Sequence, residues 1–139
     1  MKEKRLSIGN YHEIVFAFNQ EDVIQFSKIT GDKNPIHLDN EYASGTLFKK
    51  PIMPGFLCGA VFSKIFGMEF PGEGSIYLGQ NLKFLKPMFI ENKYIAKCII
   101  TKIDNEKKFV YFDTIIEEQS TSIETITGTA VILVDKNKL

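Results

Sequence analysis

The sequence has no net charge, very little arginine and no long apolar run. Its 139 residues hold 17 Lys and Arg against 17 Asp and Glu, which gives a formal net charge of zero. Arg5 is the only arginine, so the planar fork best suited to clamping phosphates and reading bases is nearly absent. No segment reaches the ~20 apolar residues of a membrane span. We therefore expect neither a nucleic-acid nor a membrane partner.

Cysteine and histidine are also scarce. Cys58 and Cys98 lie far apart, each within an apolar run, which suits buried thiols better than a disulfide or a metal site. No set of metal-ligand residues and no glycine-rich dinucleotide fingerprint is present. We expect a cytoplasmic protein with no metal and no bound cofactor.

What the sequence does contain is enough apolar material for one folded domain. Hydrophobic residues make up 44% of the chain, and a chain of this length can bury a substantial core. There is no internal repeat, low-complexity tract or compositional break. We predict a single domain over residues 1–139.

Hydrophobic periodicity predicts one strand, then helices, then four more strands. Alternating residues predict the first strand over 12–18. Asn19 is a suitable cap for a helix that Gly31 would end, and Asp39 is a suitable cap for a short helix from Asn40. The later strands are expected over 76–84, 93–103, 109–117 and 123–134. This order predicts an α+β domain with an antiparallel sheet.

Between the early helices and the later strands lies an unusually apolar helix, predicted over residues 55–66. Ser63 and Lys64 are its only polar side chains, and such a helix is normally buried. Gly55, Gly59, Ser63 and Gly67 recur every four residues, which first of all indicates close packing against a sheet. A glycine in the first turn also leaves backbone N–H groups uncovered and able to face a ligand oxygen.

The segment from Gly31 to Asp39 brings a carboxylate, an amide and an imidazole into one short stretch. His37 is one of two histidines, and histidine titrates closest to neutral pH. Asp32 lies five residues earlier, across Asn34 and a proline that restrict the backbone. The two side chains can converge on one small reactant. A purely local interpretation is also open, in which Asp32 closes an Asx-turn.

The wider segment of residues 26–43 reads Phe-Ser-Lys-Ile-Thr-Gly-Asp-Lys-Asn-Pro-Ile-His-Leu-Asp-Asn-Glu-Tyr-Ala. It resembles the signature of the MaoC-like, (R)-specific enoyl-CoA hydratases. The similarity extends through residues 51–57, 62–63 and 74–84. It implies the hotdog fold, in which a long antiparallel sheet wraps around a central buried helix.

The resemblance also implies roles for individual residues. Asp32 and His37 match the catalytic pair, Asn34 and Ser63 match positions that help to hold the pair, and Gly55 matches the glycine whose N–H binds the thioester oxygen. Pro54 departs from the family pattern, because many relatives carry a histidine there. Proline leaves the Gly55 N–H intact, so we expect the departure to affect substrate range rather than the reaction.

The implied reaction is reversible addition of water to a trans-2-enoyl thioester, which gives an (R)-3-hydroxyacyl thioester. Two alternatives remain at this stage. Hotdog domains also include acyl-thioester hydrolases with a carboxylate near the same helix, and a non-catalytic acyl-thioester-binding module is possible too. The Asn34-Pro35-Ile36-His37 stretch favours the hydratase, and a binding module needs no acid and base pair.

The expected partners follow from the resemblance and from the open sheet. We expect a homodimer or a multiple of dimers, with two sheets joined edge to edge and each site completed by the partner chain, because open sheet edges need protection. The acyl group is expected to arrive as a thioester of coenzyme A or of an acyl carrier protein. Lys49, Lys50 and Lys86 border the site segments and are candidates for contacts with the phosphates of the carrier.

Overall fold

The computed structural model describes residues 4–139 and shows six strands interspersed with short helices. The strands are β1 (Tyr11–Phe16), β2 (Ile76–Gln80), β3 (Lys83–Phe84), β4 (Tyr94–Asp104), β5 (Phe109–Glu118) and β6 (Glu124–Leu133). The α-helices are α1 (Gln20–Thr30), α2 (Pro35–Leu38), α3 (Asn40–Ser44), α4 (Gly55–Gly59) and α5 (Val61–Lys64). A π-helical turn, Ile65–Glu69, continues α5, and a 3₁₀ turn, Lys136–Lys138, ends the chain.

The strands form one antiparallel sheet in the order β1-β4-β5-β6-β2, and β3 also pairs with β6. This arrangement confirms the predicted α+β class. Side chains alternate between the two faces of a strand, and on β4 the inward set, Tyr94, Ala96, Cys98 and Ile100, is fully or almost fully buried. β1 and β2 are the two edges of the sheet.

One predicted strand is divided in the structure. Residues 76–84 form β2 and β3 with a break at Asn81. The Asn81 side-chain oxygen accepts the Thr129 N–H at 3.2 Å, which takes a donor that a regular ladder would use. The backbone of Asn81 also lies so close to Gly128 of β6 that an added Cβ there would overlap the Asn81 carbonyl oxygen. Only glycine permits this close approach, and the expected count of five strands becomes six.

The caps of the early helices agree with the sequence prediction. The Asn19 side chain accepts the N–H of Asp22 at 2.9 Å, and the Asp22 carboxylate accepts the N–H of Asn19 at 2.9 Å. This reciprocal pair is a capping box. Gly31 ends α1 in the left-handed region, with φ 78°, where glycine carries no Cβ penalty. The segment after Gly31 therefore leaves α1 in a defined direction.

The helical segment over residues 55–69, here called the central helix, consists of α4, α5 and the π-helical turn. It packs on the concave side of the sheet through Cys58, Val61, Phe62, Ile65 and Phe66. The Phe66 and Phe112 rings lie 4.7 Å apart between centroids, which ties the helix to the middle of β5. Within residues 4–139, no helix is both long enough and apolar enough to cross a bilayer.

Burial of the central helix is one-sided. Phe56 is 72% exposed, and Ala60 and Ser63 are exposed as well. The sequence predicts burial nearly all round, but the sheet of a single chain covers only one face. Of the small residues that recur every four positions, Gly55 and Gly59 pack closely. An added Cβ would lie 2.5 Å from Phe84 at Gly55 and 2.7 Å from Leu82 at Gly59. Gly67 faces open space.

Candidate active site

The turn after α1 is held by side chains that bond to the backbone two residues ahead. One oxygen of the Asp32 carboxylate accepts the Asn34 N–H at 3.1 Å, and the Asn34 side-chain oxygen accepts the Ile36 N–H at 3.2 Å. Asn34 thus caps α2, whose first residue is Pro35. The sequence predicted a turn here without a helix. Asp32 and Asn34 are exposed, so the second Asp32 oxygen is open to solvent.

His37 is oriented by the backbone of a loop fifteen residues later. Its Nδ1 lies 2.7 Å from the carbonyl oxygen of Ile52. A carbonyl oxygen only accepts hydrogen bonds, so Nδ1 carries the hydrogen and Nε2 is left for other partners. The Ile52 N–H donates in turn to the Ile36 carbonyl at 3.2 Å. This pair of bonds fixes α2, and with it the imidazole, against the loop that leads into the central helix.

The same loop sets the position of Gly55. The Met53 N–H donates to the Met88 carbonyl at 2.7 Å, and Pro54 is buried directly before the helix. Gly55 is the first residue of α4, so no helical carbonyl four residues earlier accepts its N–H. His37 and Gly55 are thereby held by two ends of one short loop.

His37 and Gly55 line one cavity of about 390 Å³. Most of its wall is apolar and comes from the loop that leads into the central helix, from β3 and from the segment after β3. Two of the lining residues, Met88 and Ile126, are buried. Besides His37, Lys86 is the only lining side chain with an ionisable group. The cavity suits an apolar chain whose polar end reaches an imidazole, a backbone N–H and one cation.

The other predicted site residues lie outside this lining. Asp32 and Asn34 form the exposed turn before α2. Ser63 lines a separate groove of about 350 Å³ between the central helix and β2. Of the candidate lysines, Lys50 places its Nζ 4.4 Å from the ring centroid of Phe89. His37 and Gly55 therefore line one cavity, and neither Asp32 nor Ser63 is among its lining residues.

The two cysteines are buried in the core, as the sequence predicted, and both are free thiols. Burial raises the pKa of the Cys58 thiol to about 12, and it raises the pKa of the Cys98 thiol to about 12 as well. Both stay protonated near neutral pH and are poor nucleophiles. Among residues 4–139, no group of three or more His, Cys, Asp or Glu side chains is arranged to hold a metal ion.

Comparison with known proteins gives a consistent result. Residues 4–121 match the family model described as a MaoC like domain. The chain is 34% identical over 132 residues to the (R)-specific enoyl-CoA hydratase of Aeromonas caviae, covering 95% of this chain and 98% of the relative. It is 35% identical over 106 residues to the (R)-specific enoyl-CoA hydratase of Rhodospirillum rubrum, covering 76% and 74%.

A solved structure agrees with these sequence matches. The structure titled (R)-hydratase from A. caviae involved in PHA biosynthesis superimposes with a TM-score of 0.90, at 34% identity, covering 94% of this chain and 98% of that one. With the wrapped antiparallel sheet and the central helix, this match confirms the hotdog fold. The sequence alone had no signal for the Ile52 carbonyl that orients His37, because every residue carries a backbone carbonyl.

Proposed function

The chain belongs to the MaoC-like domain family, and we propose that it catalyses reversible, (R)-specific addition of water to trans-2-enoyl thioesters. Similarity over nearly its whole length to a protein named (R)-specific enoyl-CoA hydratase supports this hydro-lyase assignment. The structural observation that carries it is one largely apolar cavity that is lined both by His37 and by Gly55, the first residue of the central helix.

The proposed chemistry assigns one proton transfer to each member of the pair. Asp32 takes a proton from water as the water oxygen bonds to C3 of the enoyl group. His37 enters this step as the imidazolium: it keeps the Nδ1 hydrogen that faces the Ile52 carbonyl and gives its Nε2 proton to C2. The acyl product is then neutral, and the proton taken up by Asp32 returns to His37 through solvent before the next turnover. Proton transfer by positioned side chains typically contributes ~10²- to 10⁴-fold to a rate. The reverse assignment uses the same residues: the unprotonated Nε2 of His37 would take the proton from water, and a protonated Asp32 would give one to C2.

Gly55 is assigned the thioester oxygen. As water adds to C3, negative charge develops on that oxygen, and a donor fixed in advance stabilises it without reorganisation. The Gly55 N–H begins the central helix and has no helical acceptor. Asn34 supports the pair indirectly by capping α2, the helix that carries His37.

The hydrolase alternative receives less support from the same structure. A hydrolase of this fold would need a carboxylate near the central helix, yet residues 55–68 contain no Asp or Glu. The first acidic residue of that helix is Glu69, which lies 3.8 Å from His12 at the far end. The raised pKa of Cys58 argues against a thiolate nucleophile. These observations therefore favour hydratase activity over hydrolase activity.

One paired assay tests the assignment. Loss of ultraviolet absorbance from the conjugated trans-2-enoyl thioester reports hydration, and a thiol reagent run beside it reports hydrolysis. We expect absorbance loss without free thiol, and chiral analysis should find the (R)-3-hydroxyacyl product. Release of thiol would instead indicate a hydrolase, and silence in both assays would indicate a binding module.

We infer that two copies assemble through their β2 edges. On that side of the molecule the apolar side chains of Ile76 and Leu78 on β2 are about half exposed, next to the open face of the central helix. Ser63 lies on this face, away from the His37 cavity of its own chain. Pairing of two β2 edges would bury both surfaces and complete each site with the partner chain.

The assembly prediction is tested by mass. Light scattering during gel filtration should give at least twice the 15.8 kDa of one chain. Leu78→Lys should shift the protein toward monomer, because a charge would replace an apolar contact on β2. Val15→Lys changes a similarly exposed residue on the other edge strand, β1, and should leave the mass unchanged. A monomeric unaltered protein at micromolar concentration contradicts the prediction.

Lys86 is the lysine that we assign to the thioester carrier. Coenzyme A and acyl carrier proteins both present the acyl group on a phosphopantetheine arm. Lys86 lines the His37 cavity, whereas Lys50 lies over the Phe89 ring. We expect Lys86→Ala to raise KM for an enoyl-coenzyme A roughly 2- to 5-fold, as for loss of an exposed ion pair, and we expect the effect to shrink in high salt.

A shortened carrier separates this role from general damage to the site. Enoyl-N-acetylcysteamine has no phosphate, so Lys86→Ala should leave its KM unchanged. Lys50→Ala serves as the matched control and should alter neither substrate. An equal rise in KM for both substrates would assign Lys86 to the acyl part. Acyl carrier protein thioesters, assayed in parallel, decide between the two carriers.

We propose a cytoplasmic location and no resident cofactor or metal. Free, buried cysteines are typical of reducing compartments. The proposed proton transfers need only side chains and one backbone N–H. Dialysis against a strong chelator should therefore leave the hydration rate unchanged.

A further inference from the structure

We propose that Phe56 limits the length of the acyl chain by separating the His37 cavity from the Ser63 groove. This inference rests on the proposed hydratase function and deepens it. The cavity of about 390 Å³ and the groove of about 350 Å³ lie on either side of the start of the central helix. Phe56 is the one residue that lines both spaces.

The surroundings of Phe56 show that its ring stands between the two spaces. The ring contacts Phe84, at 5.8 Å between centroids and 52° between planes, and Phe84 in turn covers the Cα of Gly55, where an added Cβ would lie 2.5 Å from the ring. The side chain is 72% exposed in the single chain, on the face of the central helix that the inferred assembly would cover. The Phe56 ring therefore acts as a partition between the cavity and the groove.

Both sides of this partition can accept an apolar chain. The groove beyond Phe56 is lined mainly by small or apolar residues, including Gly59, Ala60 and Leu82. Its polar end is closed by Tyr77 and Gln80, which are hydrogen-bonded to each other, while Gln80 also donates to the buried Thr114 at 2.8 Å. The inner groove wall is therefore held by hydrogen bonds, and Phe56 is the side chain that separates the groove from the cavity.

The chemistry of the site gives the partition its function. When the reactive carbons lie between His37 and Gly55, a short acyl tail stays within the first cavity. A longer tail must pass the Phe56 ring to reach the groove. Each methylene that a pocket accepts or rejects typically changes kcat/KM by roughly 10- to 200-fold. We infer that the unaltered protein discriminates against eight-carbon enoyl thioesters relative to four-carbon ones.

Truncation of the ring tests the proposal. Phe56→Ala should raise the eight-carbon to four-carbon ratio of kcat/KM by roughly 10-fold or more, and Phe56→Leu should give a smaller rise. Saturated octanoyl and butanoyl thioesters, used as competitive inhibitors, give a binding readout that does not depend on turnover. Inhibition by the octanoyl compound should tighten relative to the butanoyl compound. Ile29→Ala, on α1 and 85% exposed, is the control and should leave both ratios unchanged.

The outcomes separate this inference from the proposed function. Absence of hydration for every chain length in the unaltered protein would overturn the hydratase assignment itself. Hydration with equal four- and eight-carbon efficiency, or a Phe56→Ala ratio equal to that of Ile29→Ala, would overturn only the partition. Light scattering of each variant shows whether the assembly is retained. Ile76→Lys places a charge on the same strand without lining the groove, and an equal ratio change in a monomeric Ile76→Lys variant would also overturn the partition.

Discussion

Asp32→Asn and His37→Gln should each lower kcat by roughly 10²- to 10⁴-fold, the usual contribution of a positioned acid or base. The melting temperature should change little in either variant. Turnover of a four-carbon enoyl thioester and thermal unfolding, measured on the same preparations, check both expectations.

The Asp32→Asn change is informative because of what it leaves intact. The Asp32 oxygen that accepts the Asn34 N–H at 3.1 Å has an equivalent in asparagine, so the Asx-turn persists. Only the charge and the capacity to take up a proton are lost. If Asp32 served the turn alone, the variant would retain nearly full activity, and Asp32 would then be removed from the mechanism.

For His37, two variants divide orientation from proton transfer. His37→Asn keeps an N–H donor near the place of Nδ1, where the Ile52 carbonyl lies 2.7 Å away, but it removes Nε2. His37→Gln places an amide near Nε2 and gives up the bond to Ile52. Proton transfer from Nε2 predicts large losses in both variants. Activity retained in His37→Asn would restrict His37 to a structural role.

The double variant tests whether the pair acts as one unit. Groups that share a catalytic step are strongly non-additive. Asp32→Asn combined with His37→Gln should therefore be little slower than the slower single variant. A loss equal to the product of the single losses would show that the two residues act independently.

Gly55→Val should lower kcat by roughly 10²- to 10³-fold, the typical cost of removing a donor to developing negative charge. A branched side chain at the start of the central helix would occupy the place where the thioester oxygen docks. Binding of a saturated thioester inhibitor should weaken too, because its carbonyl oxygen uses the same place. The fall in kcat should be larger than this loss of binding, because the charge on the oxygen develops only in the transition state.

Phe84 requires a control, because its ring lies against Gly55. An added Cβ would be 2.5 Å from Phe84, so even Gly55→Ala must displace the ring. Phe84 is half exposed and can rotate away, which makes the alanine variant the milder one. If crowding of Phe84 caused the loss, Phe84→Ala combined with Gly55→Ala would restore turnover. A folded Gly55→Val variant with normal turnover would assign the oxygen to another donor.

Helix caps and turns whose hydrogen bonds join residues close in sequence were predictable from the sequence. The start of α1 at Asn19 and its end at Gly31 follow from hydrogen bonds and backbone angles within a few residues. The same holds for Asp39, whose side chain accepts the Tyr42 N–H at 3.0 Å, and for the β4–β5 turn, where Asp104 accepts the Lys107 N–H at 3.0 Å. Alternating burial on β4 and β5 also followed from the period-two pattern.

Features that depend on distant residues were not predictable in the same way. The division of residues 76–84 into β2 and β3 arises where Asn81 meets Gly128 and Thr129, almost fifty residues later. The α2 turn was missed because its cap, Asn34, also fits an ordinary turn. Periodicity cannot reveal the division into β2 and β3, because the deciding contact is absent from the local sequence. The four-residue α2 is too short to show a helical period.

The sequence by itself determined the fold class, the two ends of α1 and the motif that contains Asp32 and His37. Tertiary structure decided which of these residues meet. It oriented His37 through the Ile52 carbonyl and placed His37 and Gly55 on one cavity. Asp32 and Ser63 are not among the residues that line this cavity, and Phe56 lines both the cavity and the groove. The physical reason is range: caps, turns and strand alternation are satisfied within a few residues, whereas a cavity exists only where packed elements leave a gap.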